Sequence, residues 1–299
     1  MYPEVQPYGE QPKSEKVKLN FRPQHQSTMP GHEHLMDPLP IADNPDYKAS
    51  GKCKGKTVVI TGGDSGIGRA AAIAFAKEGA NVSVIYYTED LDAKATKHAV
   101  ESYGGHCLLV KADLKQQSEA VHAVTQTVGE YGGLDCVVNN AAVQYSQQSL
   151  LDITPKQLLE TFQTNIFSYF YVSQAALPHL KKGDSIINTA SVTAYKGNKT
   201  LIDYSATKGA IVTFTRSLAL SLVDSGIRVN AVAPGPIWTP LIPASFTESE
   251  VSEFGNDTPM KRAGQPFEVA PAYIYLASED SGFMTGQVLH INGGEIING

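Results

Sequence analysis

From residue 57 onward, short continuous apolar runs alternate with longer segments of helical periodicity. Apolar runs of this length are typical of strands buried on both faces, whereas apolar positions three and four apart are typical of helices. The runs predict strands over residues 57–61, 82–86, 107–111, 136–138, 185–189, 227–231 and 287–291. The intervening segments predict helices over residues 66–79, 91–103, 118–128, 155–180 and 266–277, and around residue 204.

Strands that alternate with helices predict a parallel sheet with right-handed crossovers and helices on both faces. The expected fold is a single doubly wound α/β domain of the Rossmann type over residues 51–299. Residues 1–50 differ, because they hold eight of the seventeen prolines and show no sustained hydrophobic period. They predict an extended N-terminal arm, partly disordered or laid over the domain, that ties subunits together.

Composition and charge exclude several classes of protein. A formal net charge of -6 argues against nucleic acid as a partner, which requires a concentrated basic surface. No apolar run approaches the roughly 20 residues of a membrane span, and residues 1–10 lack the pattern of a secretory signal. Three cysteines without a C-x-x-C spacing favour a reducing, cytoplasmic setting.

Histidines of the arm raise the question of a metal. His32 and His34 flank Glu33, and His25 lies nearby. A metal site is conceivable, but no further ligand spacing supports one, so solvated histidines are the better interpretation. No metal is predicted.

A glycine-rich turn, T-G-G-D-S-G-I-G at residues 61–68, follows the first strand and opens the first helix. Glycines at these positions permit a tight turn and close approach of the backbone to a ligand, and the helix N-terminus attracts a pyrophosphate. A purely structural turn is the alternative. In this context the sequence favours a dinucleotide site.

Tyr204 and Lys208 are four residues apart on a predicted helix, so their side chains share one face. An ammonium group about 5 Å from a phenol would lower the phenol pKa by about two units at an effective dielectric of about 20. A tyrosine with such a pKa could exchange a proton with a substrate oxygen. The alternative interpretation is that Tyr204 and Lys208 are an exposed pair on an amphipathic helix without a catalytic role. The glycine-rich turn in the same sequence makes this interpretation less favoured.

Together these motifs resemble the short-chain dehydrogenase/reductase family. The turn resembles its T-G-x-x-x-G-x-G signature, and Tyr204 to Lys208 resembles its Y-x-x-x-K. Ser191, thirteen residues before Tyr204, and Asn165 in T-N-I-F resemble its catalytic serine and asparagine. The resemblance covers about residues 56–299, and the proline-rich arm resembles a bacterial subgroup labelled general stress oxidoreductases.

The resemblance implies an NAD(P)-dependent oxidoreductase that interconverts an alcohol and a ketone or aldehyde, and a homotetramer. Tyr204 would exchange the proton, and Lys208 would lower the tyrosine pKa and hold the nicotinamide ribose. Ser191 would orient the substrate oxygen, and Asn165 would hold a water that links Lys208 to solvent.

The resemblance also implies a set of cofactor-binding residues. They are Gly62, Asp64, Ser65, Gly66, Ile67, Gly68, Tyr87, Thr88, Asp113, Leu114, Asn140, Ala141, Ala142, Tyr204, Lys208, Pro234, Gly235, Ile237 and Thr239. Ala142 departs from the family pattern N-N-A-G, which has glycine there. The second strand ends without Arg or Lys at residues 86–90, so NAD is preferred over NADP.

Several residues are candidates for a substrate pocket: Gln144, Tyr145, Val192, Tyr195, Trp238, Leu241 and Phe246. Residues 240–259 suit a mobile lid, whose composition favours a moderately apolar, uncharged substrate. The helices over residues 155–180 and around Tyr204 are apolar nearly all round, which predicts a subunit interface.

Two other functions are open at this point. A dinucleotide-sensing protein without turnover would share the fold, but Tyr204 and Lys208 count against it. An epimerase or dehydratase of the extended branch would more often show G-x-x-G-x-x-G and a larger C-terminal substrate domain, and neither is present.

Overall fold

The computed structural model describes residues 20–296. Its centre is a sheet of seven parallel strands in the order β3-β2-β1-β4-β5-β6-β7. The strands are β1 (Thr57–Thr61), β2 (Asn81–Tyr86), β3 (Cys107–Lys111), β4 (Cys136–Asn139), β5 (Ser185–Thr189), β6 (Arg228–Pro234) and β7 (Val288–Ile291). The strand order reverses direction between β1 and β4, and this switch point is where open α/β sheets bind ligands.

Helices cover both faces of the sheet. They are α1 (Gly66–Lys77), α2 (Asp90–Ser102), α3 (Gln117–Tyr131), α4 (Pro155–Phe162), α5 (Ser168–Ala176), α6 (Thr193–Lys196), α7 (Ile202–Leu222), α8 (Leu241–Ser245), α9 (Glu248–Ser252) and α10 (Pro266–Ala277). Helix α1 packs on α10, and α3 packs on α5. The predicted doubly wound α/β fold is confirmed. No described helix has the length and apolar character needed to cross a membrane.

The continuous apolar runs build two separate cores. Neighbouring side chains of a strand point to opposite faces of the sheet. Val58 and Ile60 of β1 therefore join the core beneath α1 and α10, whereas Val59 between them joins the core beneath α3 and α5. All three are fully buried, which explains why the strand has no polar alternation.

The helix predicted over residues 155–180 is interrupted. Between α4 and α5 the chain forms a π-helical segment, Gln163–Phe167, and a 3-10 turn, Leu177–His179, follows α5. A π segment inserts an extra residue into the helical repeat and is frequent at functional sites. Asn165 lies in the middle of this segment.

Residues 20–50 of the predicted arm lie along the domain. The ring of Phe21 stacks on Trp238 with 3.9 Å between ring centroids. The Trp238 indole Nε1 donates a hydrogen bond to the Pro38 carbonyl at 2.9 Å. Trp238 is fully buried by these contacts. Residues 1–19 lie outside the described residues, and the predicted link between subunits stays a prediction.

Candidate active site

A cleft of about 590 Å³ opens at the carboxyl ends of the strands, beside the switch point. Most of the predicted cofactor-binding residues line it. The lining residues from that set are Gly62, Asp64, Ser65, Gly66, Ile67, Tyr87, Asp113, Leu114, Asn140, Ala141, Ala142, Tyr204, Lys208, Pro234, Gly235, Ile237 and Thr239. A volume in this range suits a bound small molecule.

The glycine-rich turn has the bare backbone that a dinucleotide requires. Gly62 and Gly66 have φ angles of 60° and 51°, a region that favours glycine. A Cβ atom at Gly66 would lie 3.0 Å from the Thr239 side chain, inside the cleft. The turn leads directly into the N-terminus of α1, and the positive end of the helix dipole attracts a pyrophosphate. These residues therefore fit a nicotinamide dinucleotide.

Two predicted contacts lie outside the wall of this cleft. Gly68 is buried against the turn itself, since a Cβ atom there would come within 2.0 Å of the Gly62 carbonyl oxygen. Thr88 turns away, and its N–H and hydroxyl both donate to the Glu89 carboxylate. Gly68 shapes the turn, and Thr88 fixes Glu89.

Asn140 holds the turn in place through its side-chain amide. Its Nδ2 donates to the carbonyl oxygens of Thr61 and Gly62, each at 3.1 Å. The Thr61 hydroxyl accepts from the N–H groups of Asn140 at 2.8 Å and Ala141 at 3.0 Å. The role of Thr61 was missed, because a threonine at the end of a strand gives no sign of the distant loop it contacts.

Ser191, Tyr204 and Lys208 come together in the cleft. Ser191 and Tyr204 are nearly buried and hydrogen-bond to each other. The Ser191 hydroxyl oxygen also accepts from the Thr193 N–H at 3.1 Å, which fixes its orientation. The sequence prediction that these three residues form one cluster agrees with this geometry.

The predicted effect of Lys208 on Tyr204 is wrong in this structure. Burial raises the pKa of Tyr204 to about 12, and the hydrogen bond from Ser191 offsets only part of this. The Lys208 Nζ lies 5.4 Å from the centroid of the tyrosine ring and donates to the Thr189 carbonyl at 2.8 Å. Burial lowers the pKa of Lys208 to about 7.

Asn165 has a different environment from the one predicted. Its side chain is fully buried and forms paired hydrogen bonds with the backbone of Val143, each at 2.8 Å. Its Nδ2 also donates to the Thr207 hydroxyl at 3.1 Å. The side chain thus joins the loop after β4 to α7, next to Lys208, and the predicted role in holding a water stays a prediction.

Acidic groups lie at the ends of β1 and β2. Asp64 and Glu89 line the cleft and are nearly buried. Burial, assisted by the charge of Glu89, raises the pKa of Asp64 to about 7. Arg69 of α1 holds the backbone around these acidic groups. Its guanidinium donates to the Asp64 carbonyl at 2.8 and 3.0 Å and to the Asp92 carbonyl at 2.9 Å.

The substrate end of the cleft is more polar than predicted. Gln144, Val192, Leu241 and Phe246 line it as expected, whereas Tyr145, Tyr195 and Trp238 do not. Trp238 is the clearest error, because the arm covers its ring. The polar and charged residues that were missed are Lys196, Asn198, Glu250, Glu253, Asp257 and Glu295. Lys196 and Glu295 form an ion pair at 2.5 Å. They come from distant segments, so the sequence showed no cluster.

His32 and His34 of the arm lie close to Asp92 of α2. Ligand atoms of His32, His34 and Asp92 lie within 4.8 Å of one another. Asp92 already accepts hydrogen bonds from the N–H of Glu33 at 2.8 Å and from the N–H and Nδ1 of His34 at 3.1 Å. Its carboxylate therefore serves as an anchor for the arm.

Known proteins are similar to this chain over most of its length. The family model described as Enoyl-(Acyl carrier protein) reductase matches residues 62–295. The uncharacterized oxidoreductase YhxC of Bacillus subtilis (strain 168) is 61% identical over 282 residues, 94% of this chain and 98% of its own. General stress protein 39 of that organism is 54% identical over 274 residues, 92% of this chain and 96% of its own.

A plant protein and a solved structure extend the comparison. Glucose and ribitol dehydrogenase of Daucus carota is 52% identical over 285 residues, 93% of this chain and 98% of its own. A short-chain dehydrogenase from Burkholderia cenocepacia J2315 in complex with NADP has a TM-score of 0.77 and 30% identity. That similarity covers 81% of this chain and 98% of the other.

The pKa of Lys208 leads to a stability prediction. Between pH 7 and 10.5 the unfolded chain holds a proton on Lys208 that the folded chain has released, so stability should rise with pH across this window. The buried amine costs up to about 5 kcal/mol at the low end. The Lys208→Met variant lacks this cost. Its free energy of unfolding relative to the wild type should therefore fall as pH rises from 7 to 10, as measured by urea unfolding.

Lys181→Met is the matched control, because the Lys181 side chain is 77% exposed. We expect its free energy of unfolding to follow that of the wild type at every pH. A Lys208→Met difference that stayed constant with pH would contradict the buried, neutral amine.

Proposed function

The chain belongs to the short-chain dehydrogenase/reductase family, and from that premise we propose that it interconverts an alcohol and an aldehyde or ketone. It is an oxidoreductase that uses a nicotinamide dinucleotide, and it is related to a general stress protein. The observation that carries the proposal is the placement of Ser191, Tyr204 and Lys208 together in a cleft whose glycine-rich turn fits a dinucleotide.

Tyr204 is the proposed proton donor in the reducing direction. A bound nicotinamide would supply the hydride. A pKa of about 12 means that Tyr204 holds its proton at neutral pH and can give it to the substrate oxygen. Ser191, fixed by Thr193, would orient that oxygen with its hydroxyl.

Lys208 would respond to the charge that then develops on Tyr204. A tyrosinate about 5 Å from an ammonium group gains about 3 kcal/mol at an effective dielectric of about 20. Burial lowers the pKa of Lys208 to about 7, so a large share of Lys208 is an ammonium group at neutral pH, and this charge would stabilise the tyrosinate left after the proton has gone to the substrate. Lys208 thus supports Tyr204 in the transition state, although it does not lower the tyrosine pKa beforehand.

We propose a hydroxyl-rich substrate. Lys196, Asn198 and Glu295 line the same cleft as Tyr204 and offer hydrogen-bond donors and acceptors to a ligand there. A ligand with several hydroxyl groups would pair with them. The carrot relative is named for glucose and ribitol, which are compounds of this class.

For the cofactor we propose a preference for NAD. A 2′-phosphate at the ends of β1 and β2 would meet the carboxyl groups of Asp64 and Glu89. Lys115 also lines the cleft, but its Nζ lies 3.9 Å from both Asp113 and Glu160. NADP is the competing choice, and the solved relative bound to NADP favours it.

A homotetramer and a cytoplasmic location also remain proposals. Large apolar side chains of the π segment, α5 and α7 are exposed, among them Phe167, Phe170 and Leu220. They support burial against a second subunit.

The three cysteines are free and buried, which supports a reducing compartment.

Replacing Tyr204 tests the chemistry. Tyr204→Phe keeps the ring and removes the proton, so kcat/KM should fall by about 10²- to 10⁴-fold. The Kd for NADH should stay within about threefold, because only the Tyr204 hydroxyl is lost and the glycine-rich turn and Lys208 are unchanged. NADH absorbance would be followed with a panel of aldoses, simple aldehydes, ketones and diketones, and NADH fluorescence would give the Kd.

Tyr195→Phe is the control, since Tyr195 packs on His290 outside the cleft wall. Unchanged turnover in Tyr204→Phe would refute the role of the tyrosine. A wild type that binds NADH tightly but reduces nothing in the panel would favour the dinucleotide-sensing alternative.

Replacing Asp64 tests the cofactor preference. Asp64→Asn removes a negative charge, so the ratio of kcat/KM for NADPH to that for NADH should rise by about tenfold at pH 8. In the wild type the same ratio should rise as pH falls through about 7, because Asp64 becomes protonated. The amide of the variant cannot titrate, so the variant should lose that part of the pH dependence; an unchanged ratio would exclude Asp64 as a determinant.

A further inference from the structure

A buried carboxylate of the arm reaches the glycine-rich turn. Glu33 begins a 3-10 turn, Glu33–Leu35, and is 2% exposed. Its Oε2 accepts a hydrogen bond from the Gly66 N–H at 2.6 Å. Its Oε1 pairs with the guanidinium of Arg69. Both oxygens of the buried Glu33 side chain therefore have polar partners, as a stable buried carboxylate requires.

The partners of Glu33 belong to the wall of the dinucleotide cleft or stand directly behind it. Gly66 lines the cleft with a φ angle of 51°. Arg69 holds the Asp64 carbonyl, and the Thr96 hydroxyl donates to that same carbonyl at 2.7 Å. Glu33 thus connects two fixed points on the outer side of the turn.

The arm is itself held on both sides of this contact. Asp92 of α2 accepts the backbone N–H of Glu33 at 2.8 Å. On the other side, the Gln26 N–H donates to the Pro243 carbonyl of α8 at 2.8 Å. Gly31 lies so close to α8 that a Cβ atom there would be 2.4 Å from the Pro240 carbonyl oxygen. Met29, Pro30 and Gly31 line the cleft between these points.

We propose that Glu33 is a positioning residue for dinucleotide binding, which acts by holding the Gly66 N–H and Arg69 from outside the cleft. The inference rests on the proposed use of a nicotinamide dinucleotide. Because the Gly66 N–H is already bound to Glu33, other N–H groups at the start of α1 must meet the pyrophosphate, and a displacement of Gly66 would move them and weaken binding. The step that transfers the proton from Tyr204 does not involve Glu33.

The test separates binding from chemistry in the full-length chain. Glu33→Gln keeps an acceptor for Gly66 and loses the ion pair with Arg69, whereas Glu33→Ala loses both. We expect the Kd for NADH, from fluorescence titration, to rise by about threefold in the glutamine variant and by about tenfold or more in the alanine variant. KM for NADH should rise in parallel, and kcat at saturating NADH should stay within about twofold.

Asp37→Asn is the matched control. Asp37 lies in the same arm and pairs with Arg22 on the surface, so its replacement should leave the Kd unchanged. A folded Glu33→Ala with the wild-type Kd would overturn the proposal. Loss of folding in Glu33→Gln would also overturn it, by assigning Glu33 to stability alone. A wild type that binds neither NADH nor NADPH would instead refute the proposed cofactor.

Discussion

The start of α1 lies so close to the end of β1 that a methyl group at residue 68 would come within 2.0 Å of the Gly62 carbonyl oxygen. This close approach sets the shape of the glycine-rich turn and aims the N-terminus of α1 into the cleft. Asn140, which follows β4, holds the turn with its side-chain amide, and its N–H donates to the Thr61 hydroxyl at the end of β1. Because the glycines of the turn have no side chains to fix their backbone, neighbouring segments hold it.

Burial determines the chemistry of the catalytic cluster. Removing water raises the pKa of Tyr204 and lowers that of Lys208, so both groups favour their neutral forms. Tyr204 thus keeps its proton in the resting site and can give it to a bound oxygen atom. The charge that would be costly in the resting site becomes favourable once a tyrosinate forms, since opposite charges then attract at low dielectric. The polar Asn165 contacts keep α7, which carries both residues, in register with the β4 loop.

The sequence predicted the parts of the fold that depend on local pattern. Strands such as Thr57–Thr61 and Cys107–Lys111 have the expected bounds, because each is a short run rich in apolar residues. The π segment around Asn165 was not predictable, since it preserves helical periodicity on either side. The predicted pKa of Tyr204 was wrong, because the spacing of residues in a helix indicates which side chains are close together and does not indicate whether they are buried. The prediction that Trp238 lines the substrate pocket was wrong, because the arm that covers it is distant in sequence. Pro38, its hydrogen-bond partner, is 200 positions away.

The same distance explains why Glu33 had no predicted role. A carboxylate in a proline-rich segment has no periodic pattern, and its partners Gly66 and Arg69 lie 33 and 36 positions further along the chain. In such a fold the carboxyl ends of the strands position the groups at the base of the cleft, whereas segments outside the sheet, such as the arm, form its outer walls. Here the arm contacts the glycine-rich turn through Glu33 and α8 through Gly31. A segment that touches both ends of the cleft can adjust what binds there, while Ser191 after β5 and Tyr204 and Lys208 on α7 stay unchanged.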